Sequence, residues 1–246
     1  MEKPMQGHTL RDTFERAASL WKRSRFPIAF TGAGVSVASG IPDFRSPGGL
    51  WSKYDPMKVA TAEAIQNNPK AVWEFLLETA DLLQSCSPNA AHTALARLEH
   101  EHGLQGIITQ NVDNLHQRAN SLKVVEFHGN FERFYCRRCG ADEDRERVRE
   151  KAESAVPPAC DKCGSIIRPD VVFFGEAIPA SAMQRSQELV RRADLILIAG
   201  TSGEVAPANT IPREVKMKGG QIIEINKGST YYREITDVRF DGPVEE

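Results

Sequence analysis

Nowhere in this chain does an apolar run last long enough to cross a bilayer, and the amino terminus, "MEKPMQGHTLRDTFERAASLWKRSRF", lacks the continuous apolar stretch of a signal peptide. No membrane association is expected, and a cytoplasmic location is. Charge of one sign is lacking too: 31 Lys and Arg stand against 33 Asp and Glu, a formal net charge of −2, which supplies no field for nucleic acid or an anionic surface. There is no internal repeat and no low-complexity tract. A third absence is local. "FTGAGVSVASGIPDFR", residues 30–45, opens as a strand, a glycine loop and a helix start, but Gly32 and Gly34 are followed by Val37 where the G-x-G-x-x-G fingerprint requires glycine. An ordinary nicotinamide dehydrogenase loop is therefore incomplete.

What is present fits one large core with room for a smaller module. Short apolar runs alternate with helical patterns, which argues for a parallel sheet covered on both faces. The strand candidates are "FPIAF", "GIITQ", "KVVEF", "ADLILIAG" and "GGQIIEIN", each ending near a polar or glycine-containing turn. Such ends are where open parallel sheets bind ligands. Leu10, Phe14, Ala17 and Trp21 recur at the spacing of a surface helix. Between the first two strands, residues 41 to 104 are too long for a simple crossover and hold the helical patterns "NPKAVWEFLLETADLLQ" and "PNAAHTALARLEHEHG", the second stopped by Gly103.

Without a secretory signal, cysteines point to metal or nucleophile chemistry rather than disulfides. Cys136 and Cys139 in "CRRC" and Cys160 and Cys163 in "CDKC" have the spacing of a zinc ribbon. Four thiolates fill the tetrahedral shell of one zinc, so the metal is structural. The ribbon lies between the third and fourth strands, as an inserted lobe. From Glu132 to Glu153, seven Arg and Lys balance seven Asp and Glu, so the segment reads as a solvated helix and offers no phosphate stripe or specific nucleic-acid site. Cys86 stands alone and reads as a partly buried, inert thiol.

In the glycine loop, Gly32 and Gly34 let backbone amides approach an anion, with the Ser36 and Ser39 hydroxyls as further donors at a helix start. A phosphate-bearing ligand is implied. The loop keeps company, in chain order, with "TQNVDNLHQRA", "EFHGNF", the cysteine pairs, "RPDVVFFGE", "AGTSGEVAPA" and "IIEIN". From about Phe26 to Asn226 this set resembles the sirtuins, NAD-dependent protein lysine deacylases.

The resemblance implies an α/β fold: a Rossmann-like domain (1–40, 87–127 and 176–246) carrying a smaller lobe made of a helical module with the cofactor loop (41–86) and the zinc ribbon (128–175). It places Gly32, Ala33, Gly34, Ser36, Asp43, Phe44 and Arg45 around the pyrophosphate and nicotinamide ribose of NAD. Gln110, Asn111 and Asp113 grip ribose hydroxyls and the nicotinamide amide, and Gly200, Thr201, Ser202 and Asn226 face the adenosine half. His128 is the expected general base, with Asn111 and Asp113 as catalytic partners, and its ordinary pKa suits proton abstraction near neutral pH. His92 and His116 are expected to pack or hydrogen-bond. The acyl-lysine peptide would add as a strand between Val172, Phe173, Phe174, Gly175 and Glu176 on one side and Gly203, Glu204 and Val205 on the other.

The implied reaction begins when the acyl oxygen attacks the anomeric carbon and nicotinamide leaves. His128 then activates a neighbouring ribose hydroxyl, and water releases lysine and O-acyl-ADP-ribose. Alternatives within the enzyme class are removal of succinyl or long acyl groups, ADP-ribosyl transfer and NAD hydrolysis; outside it stands a silent NAD- or nucleic-acid-binding module. Two departures stand out. Gly203 occupies a position where many sirtuins carry a larger side chain. Relatives specialised for succinyl-lysine carry Tyr and Arg three residues apart after a "VWEF"-like motif, where this chain has Leu76 and Thr79. Acetyl is therefore expected in preference to succinyl.

Overall fold

The computed structural model describes residues 9–43 and 49–246. Phe44 and Arg45, expected near the ligand, lie outside the described residues. All five expected strands form: β1 (Pro27–Thr31), β2 (Ile107–Thr109), β3 (Val124–Glu126), β7 (Leu195–Ala199) and β8 (Gln221–Asn226). They join β9 (Val238–Asp241) in one parallel six-stranded sheet of order β3-β2-β1-β7-β8-β9. The edge strand β9 escapes sequence reading because only Val238 is buried while Arg239, Phe240 and Asp241 keep contact with solvent.

Every residue of β1 and β7 is buried, as a sheet covered on both faces requires. Ile28, Phe30, Ile196 and Ile198 face one side, with Val190 and Ile211 from the helices Ala180–Arg192 and Thr210–Met217. Ala29, Leu195 and Leu197 face the other, with Leu20 of helix Leu10–Arg23 and Leu95 of helix Ala90–Glu101. Gly103 ends the latter turn at φ +77°, a conformation glycine adopts without a Cβ penalty.

The smaller lobe has its own antiparallel sheet: β4 (Gly129–Cys136) between β5 (Asp142–Glu143) and β6 (Ile167–Val171). Pro169 is tolerated in β6 because that strand is an edge. The charged segment forms the helix Arg145–Ser154, which buries only Val148 and Ala152. A single apolar cluster joins this sheet to the helical module, with Ile65, Val72, Trp73 and Leu76 packed among Phe131, Phe134 and Ile167. The Trp73 indole donates to the Ile167 carbonyl at 3.0 Å.

Candidate active site

Strand order reverses between β1 and β7, and at such switch points the loops leaving the carboxyl ends of neighbouring strands open a crevice. Here the two loops touch through glycine backbones. A Cβ on Gly34 would lie 2.7 Å from Gly200 Cα and 2.8 Å from Gly200 O, and one on Gly32 would lie 2.7 Å from Thr201 Cβ. Gly200 itself sits at φ +62°. The amides of Gly32 and Gly34 donate to Ala199 O (3.2 Å) and Gly200 O (2.8 Å). The glycines' own two amides are thus engaged by the end of β7 and by Gly200. The expected helix start is a 3₁₀ helix, Ala33–Ser39, closed by Gly40. Ser39 is its last residue rather than at its amino end, and its hydroxyl accepts from Asn89 Nδ2 at 3.0 Å.

The turn after β2 is braced against this loop. Asn111 Nδ2 donates to Gly32 O and Ser36 Oγ, both at 3.1 Å. Ser36, buried, donates a hydrogen bond to Asp113 Oδ2 at 2.6 Å, so its hydroxyl donor serves Asp113 and is not directed to a ligand. Asp113 Oδ1 also accepts from Leu115 N at 2.9 Å, and the residue thus anchors the turn on two sides. Gln110 Nε2 reaches Thr201 Oγ1 at 2.9 Å, tying β2 to the loop after β7.

His128 follows β3, half-buried against Phe127. Its Nδ1 lies 3.1 Å from the Gln110 carbonyl oxygen. A carbonyl can only accept, so Nδ1 carries the proton and Nε2 is left as the basic nitrogen. Burial pushes the His128 pKa below the ordinary histidine value, and the bond to Gln110 opposes this only in part. The imidazole is held neutral, with its lone pair presented by Nε2.

Beneath the turn, His92 and His116 are both buried, with ring centroids 4.9 Å apart. His116 Nε2 pairs with Thr31 Oγ1 at 2.9 Å, and burial, with His92 adding to it, lowers its pKa to about 3. His92 Nδ1 accepts from Asn89 N at 3.3 Å. Sequence reading missed Asn89, which also donates to Val35 O at 2.8 Å; the signal was its place just before a helical pattern, as an N-cap. It missed Glu224 as well. That carboxylate, fully buried, accepts from Asn226 Nδ2 at 3.0 Å and from Thr236 Oγ1 at 2.9 Å, and pairs with Arg239 at 2.7 Å.

The four paired cysteines converge, their Sγ atoms all within 4.8 Å of one another. Cys136 and Cys163 are 3.4 Å apart and Cys139 and Cys160 3.8 Å. Sulfurs tetrahedrally bound to zinc at about 2.3 Å would stand about 3.8 Å apart, so the tetrad fits the ion. Backbone N–H groups of Cys139 and Arg138 hold the Cys136 thiol down at about 6 against its burial, while burial raises that of Cys160.

The "VVFFGE" segment is held from within. The amides of Val172 and Phe174 donate to His128 O and Ala60 O, both at 2.9 Å, and that of Phe173 to Glu176 Oε2 at 2.9 Å. Glu176 grips the buried Arg168 at 2.5 and 2.8 Å. Burial would raise the Glu176 pKa, but the Arg168 and Phe173 donors bring it below the usual carboxylate range. Because Phe174 already bridges to Thr61, strand addition through the amides of residues 172–174 is not available.

Comparison with known proteins agrees with this geometry. The family model described as the Sir2 family matches residues 32–207. The chain belongs to the Sir2 family. Among its sirtuin relatives, an NAD-dependent protein deacylase of Thermococcus kodakarensis is 46% identical over 233 residues, 94% of this chain and 91% of that protein. One of the same description from Aeropyrum pernix is 45% identical over 222 residues, 90% and 89% of the two chains. A solved structure titled "Sir2-p53 peptide-NAD+" superposes with a TM-score of 0.88 at 38% identity, covering 94% of each chain.

Seen as a sirtuin, the chain gathers most of its expected residues at one edge of the large sheet. Gly32, Ala33, Gly34, Gln110, Asn111, Asp113, His128, Gly200, Thr201, Ser202 and Asn226 all lie at or just past the carboxyl ends of its strands. Among the described residues, no helix is long and apolar enough to cross a membrane.

Proposed function

We propose that this chain removes acyl groups from protein lysine side chains with consumption of NAD. It is an NAD-dependent protein lysine deacylase with a structural zinc, and acetyl is the group it takes in preference to succinyl. The observation that supports this reading most is the fixed tautomer of His128 beside the turn carrying Gln110, Asn111 and Asp113. NAD, when bound, supplies an anomeric carbon from which nicotinamide can leave.

The chain's own residues then have separate tasks. His128 Nε2 accepts a proton from a ribose hydroxyl, as a general base of lowered pKa can near neutrality. Asn111 and Asp113, locked through Ser36, orient the ribose side. Gly200, Thr201, Ser202 and Asn226 receive the adenosine half, Asn226 being aimed by Glu224. The contacts of Asp43, Phe44 and Arg45 with the dinucleotide belong to this reading on the strength of the resemblance. The peptide docks between residues 172–176 and 203–205, and on the first side it pairs through groups other than the amides of residues 172–174 and the carbonyls of Phe173 and Phe174, which are already engaged.

Residues 41–86 and 128–175 act in this reading as one lobe over the body formed by 1–40, 87–127 and 176–246. Their shared apolar cluster and the Trp73 to Ile167 hydrogen bond support it. Mass spectrometry of acetyl-, succinyl- and long-acyl-lysine peptides, incubated with and without NAD, tests the function. Loss of acetyl only in the presence of NAD is expected; NAD-independent hydrolysis would refute it.

A further inference from the structure

At Gly203 the space that a side chain would enter is taken by Tyr232. A Cβ on Gly203 would lie 2.7 Å from Tyr232 Cζ, 2.8 Å from Cε2 and 3.1 Å from the phenolic oxygen, and Gly203 sits at φ +82°. The Tyr232 side chain is fully buried, in the same cluster as Ala208, Ile211 and Phe30. Its hydroxyl has no hydrogen-bond partner among the described residues. Ring contacts, and not a hydrogen bond, therefore hold it beneath the loop.

The neighbours of Tyr232 fix the ring's position. Tyr231 N donates to Ser202 O at 2.9 Å, and Arg213 donates to Tyr231 O at 2.8 Å. The Thr230 hydroxyl donates to buried Glu224. Residues 230–232 thus form a strut between the end of β8 and residues 202–203, anchored at both ends. A well-packed ring transmits its position to whatever rests on it.

We propose that Tyr232 is a positioning residue for acyl-peptide binding: its ring under Gly203 sets where residues 203–205 stand at the peptide edge. The inference rests on the reading of that edge as the peptide site. A Tyr that only filled the core would affect stability and leave substrate constants alone. One that positions the loop shifts the peptide KM more than kcat or the NAD KM.

Steady-state deacetylation, with peptide and NAD varied in turn, is measured alongside thermal unfolding for the unmodified chain, Tyr232→Phe, Tyr232→Leu, Gly203→Ala and the double variant Gly203→Ala/Tyr232→Leu. Tyr232→Leu is expected to raise the peptide KM about five- to tenfold with kcat and NAD KM within about twofold. Tyr232→Phe keeps the ring and is expected to stay within about twofold of the unmodified peptide KM. Gly203→Ala must displace the ring, so it raises the peptide KM, and by a smaller factor when Tyr232 is Leu. An unchanged peptide KM in Gly203→Ala overturns the proposal even if Tyr232→Leu does not fold. So does a Gly203→Ala penalty independent of residue 232, or a rise in Tyr232→Phe as large as in Tyr232→Leu. An unmodified chain that fails to deacetylate the peptide at all refutes the underlying reading instead, and is seen before any variant is compared.

Discussion

His128 donates its Nδ1 proton to the Gln110 carbonyl across 3.1 Å, which leaves Nε2 as the ring's basic atom. Gln110 is in turn bonded to Thr201, so the base, the β2 turn and the loop after β7 are held in one arrangement. The bond also fixes a pH dependence. Burial lowers the His128 pKa, and the neutral ring is the active form, so activity is lost as pH falls through that lowered value. The acid limb of kcat/KM is expected below the ordinary histidine value of about 6.5. A limb at or above that value would contradict the assignment.

Gly34→Ala tests the contact between the two glycine loops. The added methyl would meet Gly200 backbone atoms at 2.7 and 2.8 Å, and backbone cannot rotate aside. A loss of about 1–3 kcal/mol in stability is expected, together with weaker NAD binding. Calorimetry of the variant checks both, and an unfolding profile equal to that of the unmodified chain would show that the loops do not need to touch.

One zinc per chain is expected by elemental analysis, bound by Cys136, Cys139, Cys160 and Cys163. Because the tetrad joins the ends of β4 and β6 to a shared apolar cluster, chelation should unfold the smaller lobe and abolish activity together. Circular dichroism and turnover followed during chelation decide it. A metal-free chain that stays folded and fully active would contradict the structural role.

The proposed preference for acetyl over succinyl rests on the helix Pro69–Ser85. Leu76 is 3% exposed in the shared core, and the Thr79 hydroxyl donates to Phe75 O at 2.8 Å. Neither offers a cation to a succinyl carboxylate, and an unpaired buried charge costs several kcal/mol. Acetyl-lysine is expected to exceed succinyl-lysine at least tenfold in kcat/KM, by order of magnitude. Leu76→Tyr also has to enter a packed core, so the Leu76→Tyr, Thr79→Arg pair is expected to lose stability. Equal use of the two matched peptides by the unmodified chain would show that another cation serves the site.

Strands whose two faces are both buried, such as β1 and β7, were legible because their apolar runs are continuous, and the cysteine tetrad because its spacing carries the ligand geometry. β9 was not, since an edge strand with Arg239 in it lacks either pattern. The candidate site residues fall at the loops after the strands, but their types did not reveal what each donor bonds to. That the Gly32 and Gly34 amides serve β7 and Gly200, or that Ser36 serves Asp113, depends on which strands become neighbours. Asn89 was legible only as an N-cap; its bonds to Val35 and Ser39, like those of Glu224 to Thr236 and Arg239, depend on the folded neighbourhood.

The most direct measurement is the stoichiometry of a single reaction mixture containing an acetyl-lysine peptide, NAD and either the unmodified chain or His128→Ala. With the unmodified chain, lysine, nicotinamide and O-acetyl-ADP-ribose are expected in equal amounts. The variant is expected to bind NAD with little change and to lose deacetylation by about a hundredfold or more. Near-normal turnover by His128→Ala, or lysine formed without equal nicotinamide, would contradict the assignment of this site to NAD-dependent deacylation with His128 as its base.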